Sequence, residues 1–243
     1  MWGAGASAII GETNFRNKHK KETTMRIRRK PHAKQMVQEH PRVVKEPEQL
    51  RGKWHTLFGN DRPIHLELGT GKGQFLSRVC QDRPAVNWIG VERIEEVLLH
   101  ALKKAEETPC ANLRFLWMDV NRLDEIFAEG EVERIHLHFS DPWPKKRHAR
   151  RRLTHHTFLH RYKKVLKPQG EILLKTDNSS LFDFSLEELE ATGFTIVEST
   201  RDLYHSPYVR GNIPTEYEQK FTARGVPIHY LLAKPTGDFS STR

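Results

Sequence analysis

The sequence predicts a single α/β domain built on one doubly wound, mostly parallel, seven-stranded sheet flanked by helices. Three observations predict it. From Ile64 onward, short apolar strands alternate with stretches of helical periodicity, the pattern of a parallel sheet covered on both faces. The first strand runs directly into a glycine-spaced turn, LELGTGKG. The length, 243 residues with 37% hydrophobic and 29% charged side chains, suits one sizeable core under a heavily charged surface.

Taken in order, the expected strands are IHLEL (64–68), NWIGVE (87–92), LRFLWMD (113–119), RIHLHFSD (134–141), GEILLKTD (170–177), FTIVEST (194–200) and HYLLAK (229–234). Five strand–helix units followed by a hairpin-like pair account for them. A helix over 94–107 has Val97, Leu98, Ala101, Leu102 and Ala105 on one side. Another over 153–166 turns Leu153, Phe158, Tyr162, Val165 and Leu166 toward the sheet. Pro168 and Gly170 are expected to end it and turn the chain into the next strand. A ligand site belongs at the carboxyl ends of the strands.

No apolar run approaches the ~20 residues that cross a bilayer. The opening MWGAGASAIIGETNF lacks the basic leading region of a secretory signal. Cys80 and Cys110 show no metal-like spacing; they suit a reducing compartment and are expected to pack rather than pair or react. A cytoplasmic protein is the expectation.

Lys and Arg total 40 against 31 acidic residues, a net charge of +9. Ten basic residues and no acidic one fall between Pro142 and Pro168, more than the surplus of the whole chain. A second basic group is Arg26, Arg28, Arg29, Lys30 and Lys34. Uncompensated charges packed this densely repel one another, and a polyanionic partner relieves that cost, so nucleic-acid contact is expected.

Gly69, Gly71 and Gly73 place the backbone of the first strand–helix turn close to a ligand, just before a helix N-terminus. GxGxG alone is unspecific, and Gln74 occupies the last glycine position of the dinucleotide fingerprint. The acidic residues are more telling. Glu67 precedes the glycines, Glu92 ends the second strand, Asp119 the third and Asp141 the fourth, so all four carboxylates are expected on one rim of the sheet. Glu92 follows Gly69 by 23 residues, about the offset at which a carboxylate meets a ribose hydroxyl. The other three disfavour a pyrophosphate and suit a ligand bearing an ammonium and a sulfonium, S-adenosylmethionine. A dinucleotide-dependent oxidoreductase is correspondingly disfavoured.

SDPWPKKRHARRRL (140–153), with LELGTGKG, GVE (90–92), LKTDN (174–178) and TEYE (215–218), resembles the bacterial tRNA (guanine-N7)-methyltransferases. The resemblance spans most of the chain from Met25 and implies a Rossmann-like methyltransferase fold. It implies cofactor contacts at Glu67, Glu92, Asp119 and Asp141, with Asp141 also the catalytic residue. It implies substrate contacts at Lys145, Asp177 and the segment Thr215, Glu216, Tyr217 and Glu218. The stretch Arg147, His148, Ala149, Arg150, Arg151 and Arg152 is implied to contact RNA. The implied reaction methylates guanine N7 at position 46, in the variable loop of tRNA. Residues 1–24 then read as a disordered leader with Met25 the natural start, 25–60 as a basic N-terminal segment, 61–235 as the methyltransferase domain and 236–243 as a tail.

Trp143 offers a flat face for stacking a base, or a core packing residue; both readings stand at this point. TEYE reads equally as a helix start. His156 and His160 sit one helical turn apart and His136 and His138 share a strand face, but neither pair has a third ligand at metal spacing, so no metal is expected. Rival readings are a methyltransferase of the same fold acting on a base amino group in RNA or DNA, and a tRNA-binding protein without catalysis. Monomer and homodimer both remain open.

Overall fold

The computed structural model describes residues 31–237. The expected leader, Arg26, Arg28, Arg29, Lys30 and the end of the tail lie outside them. Seven strands, β1 (Ile64–Leu68), β2 (Asn87–Glu92), β3 (Leu113–Trp117), β4 (Val132–His138), β5 (Leu166–Thr176), β6 (Phe194–Thr200) and β7 (His229–Pro235), form one sheet in the order β3-β2-β1-β4-β5-β7-β6. The first five pair in parallel; β7 enters antiparallel between β5 and β6. The predicted architecture is therefore the observed one, with the final pair inserted as a hairpin-like edge.

Among the described residues eight helices cover the sheet: α1 (Ala33–Glu39), α2 (Trp54–Phe58), α3 (Gln74–Asp82), α4 (Glu95–Glu106), α5 (Leu123–Ile126), α6 (His156–Val165), α7 (Ser179–Ala191) and α8 (Glu216–Thr222). Alternation along β1 divides the two cores. Leu66 and Leu68 join Ile89, Val91 and Leu137 beneath α6 and α7, where Phe158, Tyr162 and Val165 bury the face the sequence predicted. His65 and Glu67 point the other way, toward the layer of α3 and α4, where Phe75, Leu98, Ala101 and Leu102 pack.

Three expectations are corrected. Pro168 and Gly170 do not separate helix from strand: β5 already begins at Leu166, opposite Val132, and the register slips between Val132 and Arg134. The intervening residues form a bulge, which tolerates a proline lacking an N–H. Gly170 is needed there because a Cβ would stand 2.9 Å from the Lys167 carbonyl and 3.1 Å from that of Glu133. The strand β4 stops at His138 rather than Asp141, since Phe139 turns to φ 50°. Cys80 and Cys110 are joined as a disulfide across 30 residues, with Cα atoms 6.0 Å apart. Their distance in sequence hid that the end of α3 and the loop entering β3 are neighbours.

Candidate functional site

The glycine turn after β1 uses the conformational freedom of its glycines. Gly69, Gly71 and Gly73 all have positive φ, which side chains rarely adopt. At Gly73 a Cβ would also meet Ala101 Cβ at 2.7 Å, so the turn is pressed onto α4. It opens one wall of a cleft of about 560 Å³ at the carboxyl ends of β1–β4, bounded by Gly69, Gly71, Glu92, Asp119, Asp141, Trp143 and Tyr217. That volume is appropriate to a nucleoside-sized ligand.

Three of the four predicted carboxylates meet there, each held differently. Glu92 Oε1 accepts the backbone N–H groups of Arg93 (2.9 Å) and Ile94 (3.0 Å) at the start of α4. Burial pushes its carboxyl up, against the pull of these N–H donors. The backbone N–H of Gly71 in the glycine turn also bonds this carboxylate. Asp119 Oδ1 accepts from the backbone and side-chain nitrogens of Asn121, both at 2.8 Å. Asp141 is exposed, and its carboxylate forms no hydrogen bond or ion pair among the described residues. Thus two carboxylates are anchored and the third is free.

Glu67 lies elsewhere. It is buried on the α3 face of the sheet, its Oε1 3.1 Å from His138 Nδ1. Burial drives the Glu67 carboxyl well above its ordinary range, against the nearby Lys175, and drives the His138 imidazole well below its own. Burial thus disfavours the charged form of each, and the two share one hydrogen bond. Gly73 also stands outside the cleft wall, buried under α4.

Asp141 sits in a loop with distorted backbone on both sides, Phe139 at φ 50° and Trp143 at φ 41°. Such conformations persist only where the surroundings enforce them, and they concentrate at functional sites. Here Arg152 enforces them. Its Nε and Nη2 donate to the carbonyls of Pro142 (3.0 Å) and Trp143 (3.1 Å), while its guanidinium lies 4.3 Å from the Phe184 ring centroid. The Arg151 guanidinium covers Trp143 at 4.8 Å. Trp143 is a half-buried element of the cleft wall, not a core residue. Of the stretch assigned to RNA, Arg147 and Arg150 face solvent, His148 packs edge-on against Trp143, Ala149 is half-buried, and Arg152 is occupied internally.

The TEYE segment divides its labour. Thr215 and Glu218 form a reciprocal cap at the start of α8, each side chain accepting the other's backbone N–H. Glu218 is wholly buried; Lys175 Nζ, Asn212 and Tyr204 all donate to its carboxylate. Glu216 is exposed beside Lys72, and only Tyr217 reaches the cleft, in a row of rings with Phe139 and Phe221. Asp177 follows β5 and is half-buried, and Lys145 is exposed before a short 3₁₀ turn. Sequence reading missed Phe139 and the Lys175–Glu218 pair. An aromatic row from two distant segments leaves no spacing signal, and a lysine inside an apolar strand reads as an edge residue.

A model of the family described as "Putative methyltransferase" matches residues 61–231. The tRNA (guanine-N(7)-)-methyltransferase of Lachnoclostridium phytofermentans is 49% identical over 209 residues, covering 86% of this chain and 98% of that protein. The tRNA (guanine-N(7)-)-methyltransferase of Bacillus licheniformis is 47% identical over 211 residues, with 86% and 99% covered. Among solved structures, the 16S rRNA methyltransferase KamB superposes with TM-score 0.56 at 14% identity, over 76% of this chain and 94% of that one. The antibiotic-resistance methyltransferase Kmr superposes with TM-score 0.53 at 19% identity, over 77% and 93%. Likeness at such low identity establishes the fold alone.

Proposed function

Because this chain belongs to the family of tRNA (guanine-N(7)-)-methyltransferases, we propose that it transfers the methyl group of S-adenosylmethionine to guanine N7 at position 46 of tRNA. The observation that carries this reading is the cleft itself, where one unpaired carboxylate, Asp141, stands between a nucleoside-sized hollow and a strongly basic surface. The donor set fits the cofactor. The Glu92 carboxylate suits a ribose diol, Asp119 stands beside it along the rim, and the glycine turn leaves room for the amino-acid end. Bound there, S-adenosylmethionine supplies a methyl group on a cationic sulfur.

Guanine N7 carries a lone pair and no proton. The N7–carbon bond forms as the carbon–sulfur bond breaks; the electron pair goes to sulfur, the positive charge moves to the purine, and no base is needed. The residues therefore contribute position and electrostatics. Asp141 orients the guanine through its amino and imino hydrogens and steadies its growing positive charge. Tyr217 and Trp143 provide ring faces at the entrance, where stacking a base is worth about 1–3 kcal/mol. Lys145, Asp177 and the exposed Glu216 flank the substrate side outside the cleft wall, with Thr215 and Glu218 acting from beneath by capping and holding α8.

The exposed arginines at 147, 150 and 151 hold tRNA phosphates and supply affinity without base reading. Arg152 instead shapes the loop. Changing Arg147 and Arg150 to Gln is expected to weaken tRNA binding and to lower the slope of log K against log salt by about 0.7–0.9 for each lost phosphate contact. An unchanged slope from a filter-binding series would remove these residues from the interface.

None of the described helices is long and apolar enough to cross a membrane, and the cytoplasm, where tRNA is found, is the proposed compartment. The deciding assay incubates the protein with unmodified tRNA and methyl-labelled S-adenosylmethionine, then cleaves with borohydride and aniline at 7-methylguanosine. Label with a single cut in the variable loop is expected. Label without a cut would transfer the reaction to a base amino group, and binding without label would leave a tRNA-binding protein.

A further inference from the structure

We propose that His155, His156 and Glu188 form a binding site for a divalent metal ion of the zinc class where α6 meets α7. His155 directly precedes α6, His156 is its first residue, and Glu188 comes from the facing side of α7, 32 residues further on. One ligand atom from each residue lies within 4.8 Å of the other two. Zinc bonds imidazole nitrogen and carboxylate oxygen at about 2.0–2.2 Å, so neighbouring ligands of a tetrahedral ion stand about 3.3 Å apart. His156 Nδ1 and Glu188 Oε2 are already 3.1 Å apart. The widest separation needs to shrink by at most about 1.5 Å, within reach of side-chain rotation.

The surrounding bonds prepare these groups to bind. His155 Nδ1 lies 2.9 Å from Thr157 Oγ1. Nδ1 accepts the Thr157 backbone N–H at 3.4 Å as the cap of α6; binding an ion through Nε2 moves the ring proton to Nδ1, where Thr157 Oγ1 can accept it. Burial, and next the adjacent His156, holds His155 below the ordinary imidazole range. Glu188 is fixed by the His156 backbone N–H, which donates to Oε2 at 2.5 Å. Arg150 and Arg152 oppose any cation here, as they do a proton on His155. Retention of the ion therefore depends on the Glu188 carboxylate.

None of the three residues lines the methyl-transfer cleft. The His155 N–H donates to the Arg152 carbonyl at 3.0 Å, so the ion braces the start of α6 directly behind the arginine that holds the Asp141 loop. His156 and His160 alone gave a helical pair without a third ligand. The third ligand is supplied by tertiary structure, together with a different histidine.

Zinc alone is the probe, titrated into the full chain by calorimetry and followed by thermal unfolding. One ion per chain is expected to be lost on changing Glu188→Gln, whose amide oxygen still accepts the His156 N–H, or His156→Ala. At free zinc about one hundred times Kd, Tm of the parent chain is expected to rise by roughly 5–10 °C, and neither variant is expected to show that rise. His160→Ala, outside the cluster, is expected to keep both. No zinc-dependent rise in the parent chain, or an equal rise in both variants, would overturn the site.

Discussion

Changing Asp141 to alanine is expected to lower kcat for methyl transfer about 10²–10³-fold, the scale of removing one preorganised electrostatic group from a reacting centre. Stability should move little, because an exposed residue without internal partners contributes within about 0.5 kcal/mol. The freedom of this carboxylate makes the result informative. Glu92 and Asp119 each hold backbone N–H groups, so their loss would disturb structure as well as ligand. Asp141 holds nothing until guanine arrives. Asp141→Asn retains shape and one acceptor without charge, and its expected activity falls between the two. Single-turnover rates with saturating tRNA and S-adenosylmethionine measure this directly; a rate within threefold of the parent for Asp141→Ala would remove the proposed role.

Lys175 to methionine is expected to cost about 3–5 kcal/mol of stability, the usual penalty for leaving one buried charge without its partner. Lys175 is 2% exposed and Glu218 fully buried, with Nζ 2.5 Å from Oε2. Burial pulls the Lys175 ammonium below the ordinary lysine range, and Glu218 and Glu67 pull it back up. The ammonium also donates to Asn212 Oδ1 at 3.0 Å and the Ile213 carbonyl at 3.1 Å. Its removal therefore frees three acceptors at once. The pair Lys175→Met and Glu218→Leu should recover much of the loss, since an apolar couple of similar size carries no desolvation cost. Urea unfolding of the two singles and the double measures the coupling, and additive losses would deny the ion pair its part in holding α8 to the sheet.

How far the sequence could be read depended on the range of the forces involved. The strands β1 and β2 and the glycine turn were legible to the residue, because side-chain alternation, β propensity and positive φ act over a few positions. The shared cleft was legible at Glu92, the last residue of β2, and at Asp119 and Asp141, which closely follow β3 and β4. Glu67 was misplaced because it still lies inside β1, one step out of phase with Leu66 and Leu68, and so faces α3. The sequence reading took RRR at 150–152 as one charged patch. Contacts with Pro142, Trp143 and Phe184 split it into arginines that face out and one that faces in. The Cys80–Cys110 pairing and the use of Pro168 in a bulge likewise depend on residues brought near by the sheet, which no local pattern records.

The place of β7 has a consequence during synthesis. It emerges from the ribosome after every other strand yet lies between two of them, and β6 pairs with nothing else in the sheet. Until residues 229–235 appear, β5 has one bare edge and β6 has two, all carrying unsatisfied backbone donors and acceptors. Until β7 is made, the nascent chain therefore carries a sheet open on the side of β5, the strand that leads to Asp177. A ribosome stalled before His229 would hold a species prone to pairing with other chains, and native structure in this half of the sheet arises only when the last strand arrives.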